Sequence, residues 1–189
     1  MTRIIAGTAR GRRLAVPPAG TRPTADRVRE AMFASLDHLL GGFAGARVLD
    51  LYAGSGALGL EAVSRGAARA VLVERERRTA AIARDNVRIV GAERVDVVIA
   101  TVSAYLARTP ETFDLVLADP PYAMADGEVA EVLRRLLTGW LAPDAIVVVE
   151  RARGGSAPAW PTGLRALREA TYGSTTLWYG QRAPEGEDP

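Results

Sequence analysis

Asp50-Leu51-Tyr52-Ala53-Gly54-Ser55-Gly56-Ala57-Leu58-Gly59 is the stretch whose reading decides the fold. Arg47-Val48-Leu49 runs into it as an apolar strand, and Leu58, Leu60 and Val63 run out of it with a helical period. The turn between them reads Gly-x-Gly-x-x-Gly, and Glu74 closes the next apolar run. Glycines let a backbone pass close to a ligand, and an acid in that register can take ribose hydroxyls. In the plainer reading the glycines only permit a tight strand-to-helix turn, which leaves the acid unexplained.

Downstream, strands are expected at residues 70–74, 95–100, 113–118 and 145–150, and helices at 77–90, 103–107 and 128–137. The strand runs are apolar almost throughout, as happens when helices cover both sheet faces. Alternation of this kind predicts an α/β fold on a mostly parallel, right-handed sheet. Two extended stretches, 164–172 and 175–181, flank Gly173-Ser174 and predict an antiparallel hairpin at the sheet edge. Upstream, residues 3–6 and 13–16 read as short strands around a turn at 7–11. Pro17-Pro18-Ala19-Gly20 breaks the pattern, and Val28, Ala31, Met32, Leu36, Leu39 and Leu40 then form one helical stripe ending at Gly41-Gly42. The expected organisation is a basic hairpin extension at 1–23, an α/β domain at 24–182 and a disordered tail at 183–189.

Composition narrows the chemistry. The chain of 189 residues is 48% hydrophobic, ample for a core, and has no apolar stretch long enough for a membrane helix. Met1-Thr2-Arg3-Ile4 lacks the apolar run of a secretory signal, so a cytoplasmic location is expected. Absence of cysteine excludes disulfides and thiolate metal sites, and a lone His38 argues against a serine triad or a multi-histidine centre. No metal is expected. All basic side chains are arginine, and residues 1–30 carry seven of them against Asp26 and Glu30, a local charge of 7 − 2 = +5. Planar guanidinium forks suit phosphate, so a polyanionic partner is expected, although genome base composition could also produce an arginine bias.

Asp50 separates the candidate ligands. A dinucleotide would set its pyrophosphate against this turn, where a carboxylate repels it. S-adenosylmethionine has no phosphate and carries an ammonium and a sulfonium, which an acid suits directly, through water, or by holding the glycine loop. The sharper signal is Asp119-Pro120-Pro121-Tyr122 at the end of the apolar run from Phe113. Two prolines give a stiff corner without N–H groups, so it presents acceptors: the Asp119 carboxylate and the Pro120 carbonyl. An exocyclic amine is a poor nucleophile because its lone pair is delocalised. Two acceptors on its hydrogens and an aromatic ring on its face would orient it towards a methyl donor. The plainer alternative is a Pro-Pro turn with a capping acid.

This corner, with the Asp50 glycine loop, resembles class I S-adenosylmethionine-dependent amino-methyltransferases of Rossmann-like fold. Arg3-Ile4-Ile5-Ala6-Gly7, Arg10-Gly11-Arg12-Arg13-Leu14 and Arg22-Pro23-Thr24-Ala25-Asp26-Arg27-Val28-Arg29-Glu30 narrow the likeness. Together they look like bacterial 16S ribosomal RNA guanine-N2 methyltransferases of the RsmD type, over nearly the whole chain to about Tyr179. Tyr52 stands where phenylalanine is commoner, and Ala34 where asparagine is expected. The resemblance implies methylation of the N2 amine of G966 in 16S rRNA, within an assembled or partly assembled small ribosomal subunit, by a monomer. It implies Asp119, Pro120, Pro121 and Tyr122 as catalytic residues. It implies cofactor contacts from Asp50, Ala53, Gly54, Ser55, Gly56, Glu74, Arg75, Thr101 and Thr24, and RNA contacts from Arg3, Arg10, Arg12, Arg13 and Arg22.

Rival readings explain less. A DNA adenine-N6 methyltransferase shares the corner but normally needs a larger target-recognition region. Glutamine methyltransferases usually have asparagine at the position of Asp119. A dehydrogenase leaves the corner unused, and a non-catalytic RNA-binding protein explains only the arginines. Trp140, Trp160 and Trp178 are expected in packing, and His38 at a solvated helix end.

Overall fold

The computed structural model describes residues 2–17 and 26–184. Two short strands, β1 (Thr2–Arg3) and β2 (Arg13–Leu14), pair antiparallel and precede helix α1 (Asp26–Leu40). Then follow β3 (Arg47–Leu51), α2 (Ala57–Ser64), β4 (Arg69–Glu74), α3 (Arg77–Val90) and β5 (Val95–Ile99). The second half holds α4 (Val102–Leu106), β6 (Phe113–Ala118), α5 (Asp126–Leu136), β7 (Leu141–Ala152), β8 (Leu164–Tyr172) and β9 (Thr175–Arg182).

The main sheet has seven strands in the order β5-β4-β3-β6-β7-β9-β8. The first five are parallel, and β9 lies antiparallel between β7 and β8. The chain winds outward from β3 to β5 and then returns to place β6 on the other side of β3. That reversal opens a crevice above the carboxyl ends of β3 and β6, where such sheets bind ligands. One face packs Leu49, Leu51, Val116, Val147 and Val149 against α4, α5 and the fully buried Trp140. The other packs Val48, Leu72, Leu115, Leu117 and Val148 against Met32, Phe33 and Leu36 of α1. Two buried faces account for strands without polar alternation. Trp160 and Trp178 pack against the first face, and His38 is exposed at the end of α1, as expected.

Two elements differ from the sequence expectation. Strand β7 starts at Leu141, four residues early, because Pro143-Asp144 does not end it. Asp144 takes φ 59°, and the register with β6 shifts between Phe113 and Leu115, so an irregularity absorbs the break. The expected strands at 3–6 and 13–16 shrink to two residues each. Their amides are drawn elsewhere: Ile5 and Ala6 donate to the Glu61 carboxylate at 2.7 and 3.0 Å, and Ala15 donates to Asn86 Oδ1 at 2.8 Å.

The amino-terminal hairpin is thus built onto the body. Glu61 is fully buried on α2 and also accepts from Arg65 Nε at 2.8 Å. Gly7 stands so near α2 that a Cβ would sit 1.7 Å from the Ser64 carbonyl oxygen. Ile4, Ala9 and Leu14 close a third small core with Leu60 and Val90. Arg22, Thr24, the expected boundary after residue 23 and residues 185–189 of the expected tail lie outside the described residues; within that tail, Ala183 donates to the Gly163 carbonyl at 3.0 Å.

Substituting Glu61→Ala strands two partly buried amides and the Arg65 guanidinium, so it is expected to lower unfolding free energy by about 3 kcal/mol. Denaturant melts measure that loss, and hydrogen exchange should show faster exchange at the Ile5 and Ala6 amides; unchanged protection there would contradict the anchoring role.

Candidate active site

Alternation along the strands carries four acids to the same place. On β4, Leu72 faces α1, so Glu74 does too; on β3 the same holds for Val48 and Asp50. On β6 it holds for Leu117 and therefore for Asp119, one residue beyond the strand. On β7 it holds for Val148 and therefore for Glu150. Glu74, Asp50, Asp119 and Glu150 thus end four neighbouring strands on one face, at the crevice. Three of these were expected from sequence.

Their surroundings differ. Asp50 is buried, and its Oδ2 accepts from Gly59 N at 2.9 Å. Burial nonetheless pushes its pKa up to about 7, with Glu74 adding to the rise. Glu74 bridges the turn, accepting from Gly54 N at 3.0 Å and Glu76 N at 2.7 Å. Asp119 accepts no hydrogen bond from the described residues, and enclosure, with Glu150 and Asp50 nearby, raises its pKa well above the ordinary carboxylate range. Glu150 accepts from Thr175 Oγ1 at 3.4 Å.

The glycine turn is tight. Gly56 N donates to the Ala53 carbonyl at 2.7 Å, and Ala53 N to Val73 O at 3.0 Å. Gly56 has φ 79°, and a Cβ there would lie 2.7 Å from Leu72 Cδ1, so both conformation and space demand glycine. The Ser55 carbonyl accepts from Asn86 Nδ2 at 2.9 Å. Thr101 caps α4 through Ala104 N at 3.1 Å, just past β5 and beside Glu74, whose carbonyl accepts from Ala100 N. Arg75 is exposed.

The corner stands as the prolines dictate. Pro121's carbonyl is taken by Met124 N at 2.8 Å, whereas no described donor reaches that of Pro120. Tyr122 is 45% exposed, and its hydroxyl lies 3.5 Å from Thr175 Oγ1. Arg151 holds the following loop, donating to Met124 O and Asp126 Oδ1 at 2.9 Å each. Among the described residues the site therefore offers two acceptors without a donor, beside an aromatic face and among carboxylates.

Among the expected RNA contacts, Arg10 and Arg13 are exposed on the hairpin. Arg12 spends Nη1 on the Ile89 carbonyl at 2.6 Å, and Arg3 lies 3.6 Å from Asp26. A cavity of about 420 Å³ lies at the other end of the sheet, where Arg69 pairs with Asp96 and Glu111; its charges balance, and none of the acids above lines it.

Sequence reasoning missed Glu61, Asn86, Glu150, Arg151 and Thr175. Glu150 had a signal, because it ends an apolar strand just as Glu74 does. Glu61 had one in being an acid within the apolar run from Leu58 to Val63. Arg151 and Thr175 had none, since their partners are distant in sequence.

The family model described as Conserved hypothetical protein 95 matches residues 2–181. The chain is 38% identical over 187 residues to ribosomal RNA small subunit methyltransferase D of Escherichia coli K12, covering 98% of this chain and 92% of that protein. The Haemophilus influenzae protein of the same name is 34% identical over 178 residues, covering 90% and 89%. The solved yhhF protein of Escherichia coli superposes with a TM-score of 0.85 at 37% identity, covering 96% of this chain and 97% of its own.

Asp50 sets a pH dependence. An unfolded carboxyl ionises near 3.8 and the folded one at about 7, so the unfolded chain loses its proton first as pH rises. The contribution of this group to stability is complete below 3.8 and is lost up to about 7. Asp50→Asn should shrink the loss of unfolding free energy between about pH 5 and pH 8 by on the order of 2 kcal/mol. Denaturant titrations at both pH values check this, and an equal loss in variant and wild type would contradict it.

Proposed function

Since the chain belongs to the ribosomal RNA small subunit methyltransferase D family, we propose that it transfers a methyl group from S-adenosylmethionine to the exocyclic N2 amine of G966 in 16S rRNA. The chain is a methyltransferase. The observation that carries the finer reading is Asp119: enclosed, without a described hydrogen-bond donor, beside the Pro120 carbonyl and the exposed ring of Tyr122.

The residues fit the methyl donor. A row of carboxylates, with Asp50 and Asp119 enclosed and raised in pKa, favours a sulfonium and an ammonium and opposes a pyrophosphate. When bound, S-adenosylmethionine supplies an electrophilic methyl group on cationic sulfur. Gly54 and Gly56 keep side chains out of the turn, with Ala53 and Ser55 on either side of Gly54. Glu74 has lone pairs beyond those used by Gly54 and Glu76, and these suit ribose hydroxyls. Asp50 holds the start of α2 through Gly59 and supplies charge behind the turn.

The target base is served by the corner. Asp119 and Pro120 accept the two amine hydrogens and so aim the nitrogen lone pair at the methyl group. Tyr122 stacks on the base, and Pro121 keeps the corner rigid. Enclosure makes Asp119 a stronger base than a solvated carboxylate, able to hold the amine's proton as positive charge develops. Extruding the guanine costs a few kcal/mol, which stacking and phosphate contacts offset. Arg10 and Arg13 supply such contacts from an arm fixed to α2 and α3, with Arg3 and Arg12 contributing what their intramolecular bonds leave over.

Small subunits from a strain lacking this gene, incubated with the enzyme and S-adenosylmethionine, should gain one methyl group that mass mapping places on N2 of G966. Asp119→Ala should lower that turnover by at least about 100-fold while S-adenosylhomocysteine affinity changes by less than about threefold. Methylation elsewhere, or near-normal turnover by the variant, would refute the assignment. Replacing Arg10 and Arg13 together by alanine should flatten the plot of log affinity against log salt by about 1.5–2; filter binding at several salt concentrations reads that slope, and an unaltered value would leave the hairpin no phosphate role.

A further inference from the structure

Helix α3 carries its charge in a pattern that weakens the helix. It holds four arginines, at 77, 78, 84 and 88, against one acid, Asp85. Arg77 and Arg78 occupy a first turn without acids, although the helix dipole favours negative charge there. Arg84 and Arg88 stand four residues apart, where like charges repel. Asp85 pairs with Arg88, and Glu76 caps the helix by accepting from Arg78 N at 3.1 Å. The guanidinium groups of Arg77, Arg78 and Arg84 meet no acid among the described residues. All four arginines are exposed. Helix stability therefore does not account for them, and a polyanion outside the chain would relieve their repulsion.

Their placement has a direction. Helix α3 starts three residues past Glu74, at the crevice, and runs to Gly91 at the opposite end of the sheet. Near that lower end Arg12 of the hairpin donates to the Ile89 carbonyl at 2.6 Å, and one turn higher Ala15 pairs with Asn86. The basic arm thus lies along one flank of α3. Arg77, Arg84 and Arg88 fall at i, i+7 and i+11, a single stripe about 16 Å long. That stripe lies on the other flank, beside the edge strand β5, where Arg84 Nη2 donates to the Val97 carbonyl at 3.3 Å. Arginines therefore border the outer face of α3 on both sides, from the hairpin to the rim of the crevice.

We propose that the outer face of α3 belongs to the RNA-binding surface, with Arg77, Arg84 and Arg88 neutralising phosphates of small-subunit rRNA on the flank opposite the hairpin. The proposal rests on the rRNA methylation reading and extends its footprint from the arm to the sheet edge at β5. Guanidinium forks match phosphate geometry. Phosphate contacts of this kind supply affinity and orientation, and they leave the choice of base to the crevice.

Small subunits from a strain lacking this gene are titrated with wild type, with the triple variant R77Q/R84Q/R88Q and with R108Q/R134Q/R135Q. The last removes the same charge around α4 and α5, on the other face of the sheet. The α3 variant should flatten the plot of log affinity against log salt by about 2–3, and the α4–α5 variant by less than about 1. An unaltered slope in the α3 variant, or equal flattening by both, overturns the proposal. S-adenosylhomocysteine titration reports whether the variants are folded. A second measurement needs only one substitution at a time. Because the chain has no cysteine, Arg84→Cys or Arg134→Cys gives a single thiol for a photoactivatable cross-linker. Position 84 should cross-link to rRNA and position 134 should not; cross-links from 84 to ribosomal protein alone, or equal yields from both positions, overturn the proposal. Wild type that neither binds nor methylates the particles is a separate result, which overturns the rRNA reading itself.

Discussion

Four carboxylates end four neighbouring strands on one face, and the upper half of the molecule is arranged around that concentration of charge. Strands in a sheet lie about 4.8 Å apart, so acids on adjacent strands repel, and the enclosed Asp50 and Asp119 resist ionisation. The fold answers unequally. Asp50 is given Gly59 N, and Glu74 is given Gly54 N and Glu76 N. Asp119 is given no described donor. The two acids behind the glycine turn are thereby structural as well as electrostatic, while the third has no donor among the described residues.

The same logic of buried polar groups fixes the arm. Glu61 on α2 and Asn86 on α3 are both fully buried, and both bond backbone groups of the amino-terminal segment. Asn86 also donates to the carbonyl of Ser55 in the glycine turn. One side chain therefore touches the amino-terminal segment and the glycine turn at once. The exposed pairs, such as Arg88 with Asp85 or Arg134 with Glu131, are solvent-screened and matter far less.

Much of the site was legible because the relevant residues sit where chain direction changes. Asp119-Pro120-Pro121-Tyr122 announces itself locally, since two prolines after an apolar strand leave the backbone few alternatives. The spacing from Gly54 to Glu74 is equally local, being one strand–helix–strand unit. The short hairpin strands were overestimated because propensity shows what a segment can pair with, and cannot show that Glu61 and Asn86 will claim its amides first. Strand β7 begins four residues before the expected 145 because its pairing with β6 tolerates an irregularity at Pro143-Asp144.

By itself the sequence determined the alternation of strands and helices, the glycine turn, the proline corner and the arginine-rich head, because each depends on neighbours within a few residues. Only the tertiary structure decided that Asp119 and Glu150 share a level, that Thr175 links Glu150 to Tyr122, and that buried acids and amides clamp the hairpin to α2 and α3. Those relations join residues 25 to 71 positions apart or more. They arise from strand order and from the low dielectric of the interior, neither of which is written in any short stretch of chain.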